Sequence, residues 1–564
     1  MIESCDQLTP CTSRQSIISR IKLLWTQPSL YFGLVISLCL IIPLIGNIYL
    51  ESDYPSFWVR AACYISSVCL CLFVFALSIK IKYFAYFAIP FIALIAFLSY
   101  YIKTTLGIYI DYQIIASMLE TNIEESSALI SFSSSIIFIS FLLLLYGFIW
   151  FSYKRLHHYL TWKAVLITGG ACALSRYMAF LIISTQYYPN TFPIRYSADW
   201  PIVDITMNSE HLMEYYTVER KQFQYLQDLP KPKLVNHPTP LSDDDECITI
   251  FHLGESVRQD HLQINGYPRE TTPKLMTESD NIASFKDHYS YGVVTRVSVI
   301  GMLTNAEVKS RKPTSHSFVS AFKDAGYMTC CLKQTNPKSV YDSSMNILLA
   351  DFCQHDNIYV DYNKAQKFDQ SVERVKATLN EHAKEKKLFI CLYDTGAHLP
   401  FVPFPQASHF TPDDYSQINP LSDIPKAINS YDNCIREIDA EIYEIISALK
   451  DKVALYIYVA DHGVALGENN GFCGGAISPG TYQPAFFIWF SDKYKEKYPE
   501  IVQSIKQNTQ KTVSHDYLYH TIPALCMLRT DQYQKDLDLT NPEAKSFDPP
   551  EDFQIMTKAI NLDD

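Results

Sequence analysis

Residues 248–256 read ITIFHLGES, a short and mostly apolar run of strand-forming residues that ends in a glycine and a carboxylate. Four comparable runs occur later in the chain, and segments with helical spacing, such as Asp432–Leu449, lie between them. Runs that are apolar along their length suit strands that are buried on both faces. The alternation of such strands with helices predicts an α/β domain with a mostly parallel sheet. The predicted strands are Ile248–Leu253, Tyr327–Leu332, Leu388–Tyr393, Leu455–Val459 and Phe486–Phe490.

Chemically active side chains directly follow three of these strands. Glu255 follows the first strand, residues 394–398, which end in His398, follow the third, and Asp461-His462 follows the fourth. Open α/β sheets bind ligands outside the carboxyl ends of their strands. Oxygen and nitrogen ligands without a thiolate suit zinc or manganese. The three motifs together predict a metal site at this edge of the sheet, although each motif alone is more typical of a surface loop or a capping pair.

A candidate nucleophile lies in residues 292–298, GVVTRVS, which lead into a short helical run that ends at Leu303. A hydroxyl at the N-terminus of a helix lies at the positive end of the helix dipole, which also favours a bound phosphate. A metal that contacted the Thr295 hydroxyl would lower its pKa and make it a nucleophile. The alternative is that Thr295 only caps the helix. Ser256 is a weaker candidate, because it follows Glu255 too closely to share the same metal easily.

The first third of the chain is strongly apolar. It contains five apolar stretches, each close to the ~20 residues that cross about 30 Å of hydrocarbon as a helix. Buried helices of a large soluble core are the alternative, but soluble proteins rarely place five such stretches so close together. We therefore expect a five-span transmembrane domain over residues 1–184, a connector over 185–240 and a catalytic domain over 241–564. The apolar stretches are residues 30–50, 57–79, 83–102, 128–151 and 163–184.

Charges in the loops predict the orientation of these spans. Basic residues such as Arg20, Lys80 and Lys154 lie on one side, and acidic residues such as Glu51 and Glu124 lie on the other. The excess of basic residues in cytoplasmic loops places the N-terminus in the cytoplasm. An odd number of spans then places the catalytic domain outside it, in the periplasm of a Gram-negative cell. The formal net charge of −12 argues against a nucleic-acid partner, which needs a basic surface.

Several motifs together resemble the phosphoethanolamine transferases that modify lipid A, including the mobile colistin-resistance enzymes. That family belongs to the alkaline phosphatase and sulfatase superfamily, and the resemblance covers nearly the whole chain. It implies an α-helical membrane domain of five transmembrane helices plus a periplasmic α/β domain of alkaline phosphatase/sulfatase-like fold. The motifs are GES at 254–256, NGYPRET at 265–271, TRVSV at 295–299, YDN at 431–433, DHG at 461–463, LGEN at 466–469, SHD at 514–516 and HT at 520–521.

The resemblance also implies a role for each matching residue. Glu255, Thr295, Asp461 and His462 match the four ligands of the catalytic zinc, and Thr295 matches the nucleophile. Thr295 would attack the phosphorus of phosphatidylethanolamine, release diacylglycerol and hold phosphoethanolamine covalently. Lipid A, another lipopolysaccharide site or a glycan would then accept the group, a modification that underlies polymyxin resistance. His398 matches a histidine that contacts the transferred phosphate.

A polar face between the third and fourth predicted spans extends the resemblance. Ser117, Thr121 and Glu125 are spaced i, i+4 and i+8, which places them on one face of a helix. The family carries Asn, Thr and Glu at this spacing, where they are thought to hold the ethanolamine head. Glu125 would then offer its carboxylate to the ammonium group of the donor. The alternative is a solvated face of an interfacial helix.

The sequence departs from the family at three places. The family usually has a histidine about a dozen residues after the Asp-His pair, whereas residues 470–475 read NGFCGG. Ser256 stands where many members have threonine, and His398 lies in AHLP rather than SHGP. We therefore expect one tight zinc site and at most a weak second site, with manganese less favoured than zinc.

Related functions remain open from the sequence alone. A phosphoglycerol or other phospho-alcohol transferase would share the metal and the threonine, and so would a membrane-anchored metal-dependent phosphatase. A sulfatase is excluded, because Thr295 cannot form the formylglycine that sulfatases need. A non-enzymatic scaffold is disfavoured by the joint presence of Glu255, Thr295, Asp461 and His462.

Overall fold

A computed structural model describes most of the chain, which divides into two compact units. The first unit contains the N-terminal helices, and the second contains every described strand. The described residues are 28–49, 57–81, 84, 101, 132–187, 221–242, 245–335, 343–349, 354–359, 367–399, 401, 408–413, 423–468, 471–472, 474–557 and 560.

The described part of the first unit is helical. Its helices are α1 (Pro28–Tyr49), α2 (Phe57–Lys80), α3 (Phe132–Leu156) and α4 (Trp162–Tyr187). They coincide with four of the five predicted spans, whereas the third, residues 83–102, lies almost entirely outside the described residues.

The first unit presents apolar side chains on its outside. Leu144 and Leu166 are each 74% exposed, which suits contact with lipid rather than with water. Among the described residues, Arg60–Lys80 and Ser135–Leu156 are long and apolar enough to cross a membrane. Five spans therefore remain a prediction.

The second unit is built on a seven-stranded sheet. Its strands are β1 (Cys247–Gly254), β2 (Ile282–Phe285), β3 (Met328–Thr335), β4 (Gln354–Tyr359), β5 (Lys387–Tyr393), β6 (Ala454–Ala460) and β7 (Phe486–Phe490). Their order across the sheet is β2-β7-β6-β1-β5-β3-β4. Strand β7 runs antiparallel to both of its neighbours, and the other strand pairs are parallel. The predicted strands are confirmed as β1, β3, β5, β6 and β7, and the sequence patterns missed the two edge strands.

The core is divided between the two faces of this sheet. Phe251 and Leu253 of β1 pack into one apolar cluster, and Ile248 and Ile250 pack into the other. All residues of β1 are buried, and each fully buried side chain of this kind contributes roughly 1.5–3 kcal/mol. Strand β1 is therefore fixed by packing on both faces. This packing also fixes the position of the residues that directly follow its carboxyl end.

Helices cover both faces. The predicted helix Asp432–Leu449 begins earlier, at Ile424, because the Asp423 side chain accepts a hydrogen bond from the Lys426 N–H and a proline occupies the first turn. The α-helices of the second unit are α5 (Pro273–Met276), α6 (Thr295–Leu303), α7 (Val319–Asp324), α8 (Ser343–Leu349), α9 (Lys367–Glu381), α10 (Ile424–Ser447), α11 (Pro479–Tyr482), α12 (Asp492–Lys497), α13 (Pro499–Asn508) and α14 (Leu518–Leu525).

Part of the predicted connector belongs to the second unit. Leu234–Val235 pairs with Arg529–Thr530 as a small antiparallel ladder.

Cys331, on β3, takes part in a disulfide. A disulfide suits an oxidising compartment.

Candidate metal and nucleophile site

Glu255, Asp461 and His462, here called the ligand cluster, meet at the carboxyl ends of β1 and β6. These strands are parallel neighbours, with Gly254 paired to Ala460, so the residues that follow them leave the sheet side by side. Each residue of the cluster is buried, and each offers a ligand atom within 4.8 Å of the others. The structure thus brings these three predicted residues together.

The imidazole of His462 is oriented for a ligand role. Its Nδ1 lies 2.6 Å from the Gly463 carbonyl oxygen, to which it donates. Its Nε2 lies 3.6 Å from Glu255 Oε1 and 3.3 Å from Asp461 Oδ2. A histidine that ligates a metal commonly donates its other ring nitrogen in this way, which fixes the tautomer.

Ser256 holds the two carboxylates in place. Its Oγ donates to Glu255 Oε1 at 2.8 Å, and its backbone N–H donates to Asp461 Oδ1 at 3.1 Å. Its φ angle of 60° is strained for a residue other than glycine. The Tyr431 hydroxyl donates to the Ser256 carbonyl at 2.9 Å and so stabilises this turn.

The electrostatics of the ligand cluster favour a bound cation. Burial, and then the charge of Glu255, raises the pKa of Asp461 to about 7. Two buried carboxylates side by side repel each other, and a divalent cation between them would turn that repulsion into attraction. Two carboxylates and one imidazole, without a thiolate, fit zinc.

Thr295 is the first residue of α6, and its hydroxyl points at the ligand cluster. Its Oγ1 donates to Glu255 Oε2 at 3.0 Å and lies 3.5 Å from His462 Nε2. The alternative that Thr295 only caps the helix is wrong, because the capping residue is Val294 and no side chain caps this end. The threonine hydroxyl is therefore directed at Glu255 and does not cap the helix.

The segment after β5 lies against the backbone of Glu255. The Ala397 N–H donates to the Glu255 carbonyl at 3.0 Å. Gly396 has a φ of 42°, and a Cβ there would lie 2.5 Å from that same carbonyl oxygen. His398 follows at once; it is half-buried, and its Nδ1 donates to the Leu399 carbonyl at 2.6 Å. This segment brings His398 to the same edge of the sheet as the ligand cluster.

Gly474 and Gly475, here called the glycine loop, lie where the family usually has its additional histidine. A Cβ at Gly474 would lie 2.7 Å from His462 Cε1, so the loop packs directly against the imidazole. The Gly475 N–H donates to the Val293 carbonyl at 2.7 Å, which ties the loop to the residues before α6. The loop closes this side with backbone rather than with a ligand.

Some predicted residues cannot be placed, and others were missed. Ser117, Thr121 and Glu125 lie outside the described residues. The sequence analysis gave no role to Tyr393, whose hydroxyl donates to Glu255 Oε2 at 3.2 Å, or to Tyr431. Tyr393 is the last residue of β5, so a search of the strand ends that included phenols would have found it.

Comparisons with known proteins agree with this architecture. A model for the phosphoethanolamine transferase EptA/EptB family matches residues 67–198, and a sulfatase model matches residues 248–526. The chain is 27% identical over 301 residues to the Kdo(2)-lipid A phosphoethanolamine 7''-transferase of Salmonella typhimurium, which covers 50% of this chain and 51% of that relative. It is 25% identical over 470 residues to the phosphoethanolamine transferase EptA of Escherichia coli O157:H7, which covers 77% and 81%.

The chain thus spans about half the length of the first of these relatives. Among solved structures, the integral membrane protein EptA of Neisseria meningitidis has a TM-score of 0.69 and 19% identity, and the match covers 90% of this chain and 98% of that one. This match confirms the predicted fold class, a membrane domain followed by a sulfatase-like domain.

Proposed function

We propose that this chain, which joins a phosphoethanolamine transferase EptA/EptB domain to a sulfatase domain, moves phosphoethanolamine from a membrane phospholipid to a cell-surface acceptor. One observation carries the proposal. The Thr295 hydroxyl lies 3.0 Å from Glu255 Oε2 and 3.5 Å from His462 Nε2, beside a buried set of metal-ligand atoms. A nucleophile at a helix N-terminus next to such a cluster suits phosphoryl transfer through a covalent intermediate.

Zinc is the metal that this donor set favours. Glu255, Asp461 and His462 would hold it together with the Thr295 oxygen. When bound, zinc supplies positive charge that lowers the pKa of the threonine hydroxyl and stabilises the charge on the transferred group. Manganese is less favoured, because it prefers more oxygen ligands.

The residues of the chain then divide the work of two half-reactions. The Thr295 oxygen forms a bond to the phosphorus of phosphatidylethanolamine, and the bond from phosphorus to the diacylglycerol oxygen breaks. The hydroxyl proton leaves along the hydrogen bond that Glu255 Oε2 accepts, and the departing diacylglycerol oxygen takes up one proton. In the second half-reaction an acceptor oxygen attacks the same phosphorus and loses its proton, and the Thr295 oxygen leaves and takes one up.

Binding of donor and acceptor belongs to other residues. His398, at the edge of the site, would contact the phosphate. Ser117, Thr121 and Glu125 would hold the ethanolamine head, with Glu125 facing its ammonium group.

Lipid A is the acceptor that the names of two relatives favour, since both are called Kdo(2)-lipid A phosphoethanolamine 7''-transferase, and another lipopolysaccharide or glycan site is the alternative. The enzyme would lie in the inner membrane of a Gram-negative bacterium, with its N-terminus in the cytoplasm and its catalytic domain in the periplasm. Modification of lipid A there would lower the binding of polymyxin.

Reconstitution with defined lipids tests the function. The purified full chain would be mixed with zinc, lipid A and vesicles that contain either phosphatidylethanolamine or phosphatidylglycerol, and the lipids analysed by mass spectrometry. We expect lipid A to gain phosphoethanolamine from the first vesicles and nothing from the second. Transfer of phosphoglycerol would instead establish the related transferase, and release of free phosphoethanolamine without transfer would establish a hydrolase that cleaves the phosphodiester.

A further inference from the structure

The carboxylate of Glu255 is surrounded by hydroxyl groups on both of its oxygens. Oε1 accepts from the Ser256 hydroxyl at 2.8 Å and faces His462 Nε2 at 3.6 Å. Oε2 accepts from the Thr295 hydroxyl at 3.0 Å and from the Tyr393 hydroxyl at 3.2 Å. Among the described residues, Oε2 thus has two hydroxyl donors, of which Thr295 is the proposed nucleophile.

Only one of these two hydroxyls can donate to Oε2 throughout the proposed reaction. When the Thr295 oxygen becomes bonded to phosphorus, it has lost its proton and can no longer donate to Oε2. The Tyr393 hydroxyl takes part in none of the proposed bond changes, so its contact with Oε2 does not depend on the state of Thr295. It is therefore the donor that can hold Oε2 while the group is attached to Thr295.

The position of Tyr393 suits such a constant contact. Tyr393 ends β5 and is paired with Leu253 of β1, two residues before Glu255. Both strands are buried along the sheet, and Tyr393 itself is half-buried. Its ring is thus anchored to the same framework as the carboxylate that it contacts.

We propose that Tyr393 is a positioning residue that fixes the Glu255 carboxylate for the metal, both before and after Thr295 is modified. The inference rests on the proposed function, since it assumes that Glu255 is a metal ligand. Groups that hydrogen-bond to metal ligands typically change metal affinity 10- to 100-fold when they are removed. Tyr393→Phe removes only the hydroxyl and leaves the ring in place.

Zinc binding without turnover measures this role. The full chain in detergent would be stripped of metal and titrated with Zn²⁺ against a chelator, for the wild type, Tyr393→Phe and Tyr225→Phe. Tyr225 is a matched control, because it is half-buried and its hydroxyl donates to the Pro313 carbonyl at 2.7 Å, away from the ligand cluster. We expect zinc affinity to fall about 10-fold or more in Tyr393→Phe and to stay unchanged in Tyr225→Phe.

The Thr295→Ala background sharpens the test. It removes the other hydroxyl donor from Oε2, together with the Thr295 oxygen that would bind zinc, so the effect of Tyr393→Phe is measured relative to Thr295→Ala alone. We expect Tyr393→Phe to cost at least as much zinc affinity in this background as it does in the wild type. A smaller cost, or zinc affinity equal to that of the Tyr225→Phe control, overturns the inference.

Two further measurements separate this inference from the proposed function and from a merely structural role. If Glu255→Gln abolishes tight zinc binding while Tyr393→Phe does not weaken it, the role of Tyr393 is wrong and the metal site stands. If Glu255→Gln binds zinc as the wild type does, the metal site itself is wrong. A lower melting midpoint of the metal-free Tyr393→Phe protein, without a loss of zinc affinity, would show that the hydroxyl serves only the fold.

Discussion

The ligand cluster and the glycine loop border the same imidazole but are built from opposite materials. In the ligand cluster, two carboxylates approach His462, and the ligand atoms of the three residues lie within 4.8 Å of one another. In the glycine loop, backbone alone packs against the ring, with room for no more than a hydrogen atom at Gly474. The two regions show that a nearby backbone can close one side of a site without contributing a ligand.

The largest effect is expected at the nucleophile that the ligand cluster adjoins. Thr295→Ala should lower phosphoethanolamine transfer by more than about a thousandfold, because no other described hydroxyl is held in its place. The assay is transfer from phosphatidylethanolamine to lipid A. Ser298→Ala is the matched control, since Ser298 is buried in the same helix, and it should retain transfer. Equal loss in both variants would mean that the helix, rather than the hydroxyl, was being tested.

A ligand-cluster variant should come next. Asp461→Asn removes one charge from the proposed metal site, so zinc affinity should fall by more than the ~100-fold that loss of a supporting contact costs. Chelator competition measures it. Asp439→Asn is a suitable control, because Asp439 is also buried and accepts two backbone N–H groups, from Lys274 and Leu275. A similar zinc affinity in both variants would remove Asp461 from the metal site.

A smaller effect is expected from the glycine loop. In Gly474→Ala the new Cβ would lie 2.7 Å from His462 Cε1. The imidazole cannot easily move away, because its Nδ1 donates a hydrogen bond to the Gly463 carbonyl. Such overpacking costs about 1–3 kcal/mol, so zinc affinity should fall roughly tenfold.

The wild type should also carry close to one zinc per chain in elemental analysis. Unchanged affinity in Gly474→Ala would show that the loop moves freely. Two equivalents of zinc that survive dialysis would show that another side chain replaces the missing histidine.

Acid should act on the ligand cluster and the glycine loop alike, because it loosens the second unit as a whole. Burial lowers the pKa of His288 and of His520 to about 4. The unfolded chain binds these protons near pH 6.5 and the folded chain only near pH 4, so unfolding takes up protons and stability falls as the pH drops through this window. Protonation of each histidine lowers the free energy of unfolding by up to about 3 kcal/mol once the pH has fallen to about 4.

Melting midpoints measured between pH 7 and pH 4 check this, and His520→Gln should flatten the pH dependence. An equally steep dependence in that variant would exclude His520 as a source. Zinc affinities of the ligand-cluster and glycine-loop variants are best compared above about pH 6.5, where these histidines do not affect stability.

Sequence patterns predicted the ligand cluster because its residues directly follow apolar strands. Parallel strands end at the same edge of a sheet, so the residues that follow them are expected to lie close together. They also placed Thr295 at the start of a helix. They could not show that its hydroxyl donates to Glu255, which lies 40 residues earlier in the chain.

The supporting contacts were harder to predict. Tyr393 and Tyr431 contact residues that are 138 and 175 positions away, and no local pattern encodes such distances. The edge strands β2 and β4 were missed, and so was the start of α10, which is set by the cap of Asp423.

Detection of a covalent intermediate on Thr295 tests the proposed function most directly. The full chain, loaded with zinc, would be incubated with phosphatidylethanolamine in the absence of acceptor, digested, and examined by mass spectrometry. We predict a phosphoethanolamine adduct on Thr295 that disappears when lipid A is added. An adduct on Ser256 or Ser298, or transfer to lipid A by a protein that never carries the group, would contradict the assignment of Thr295 as the nucleophile.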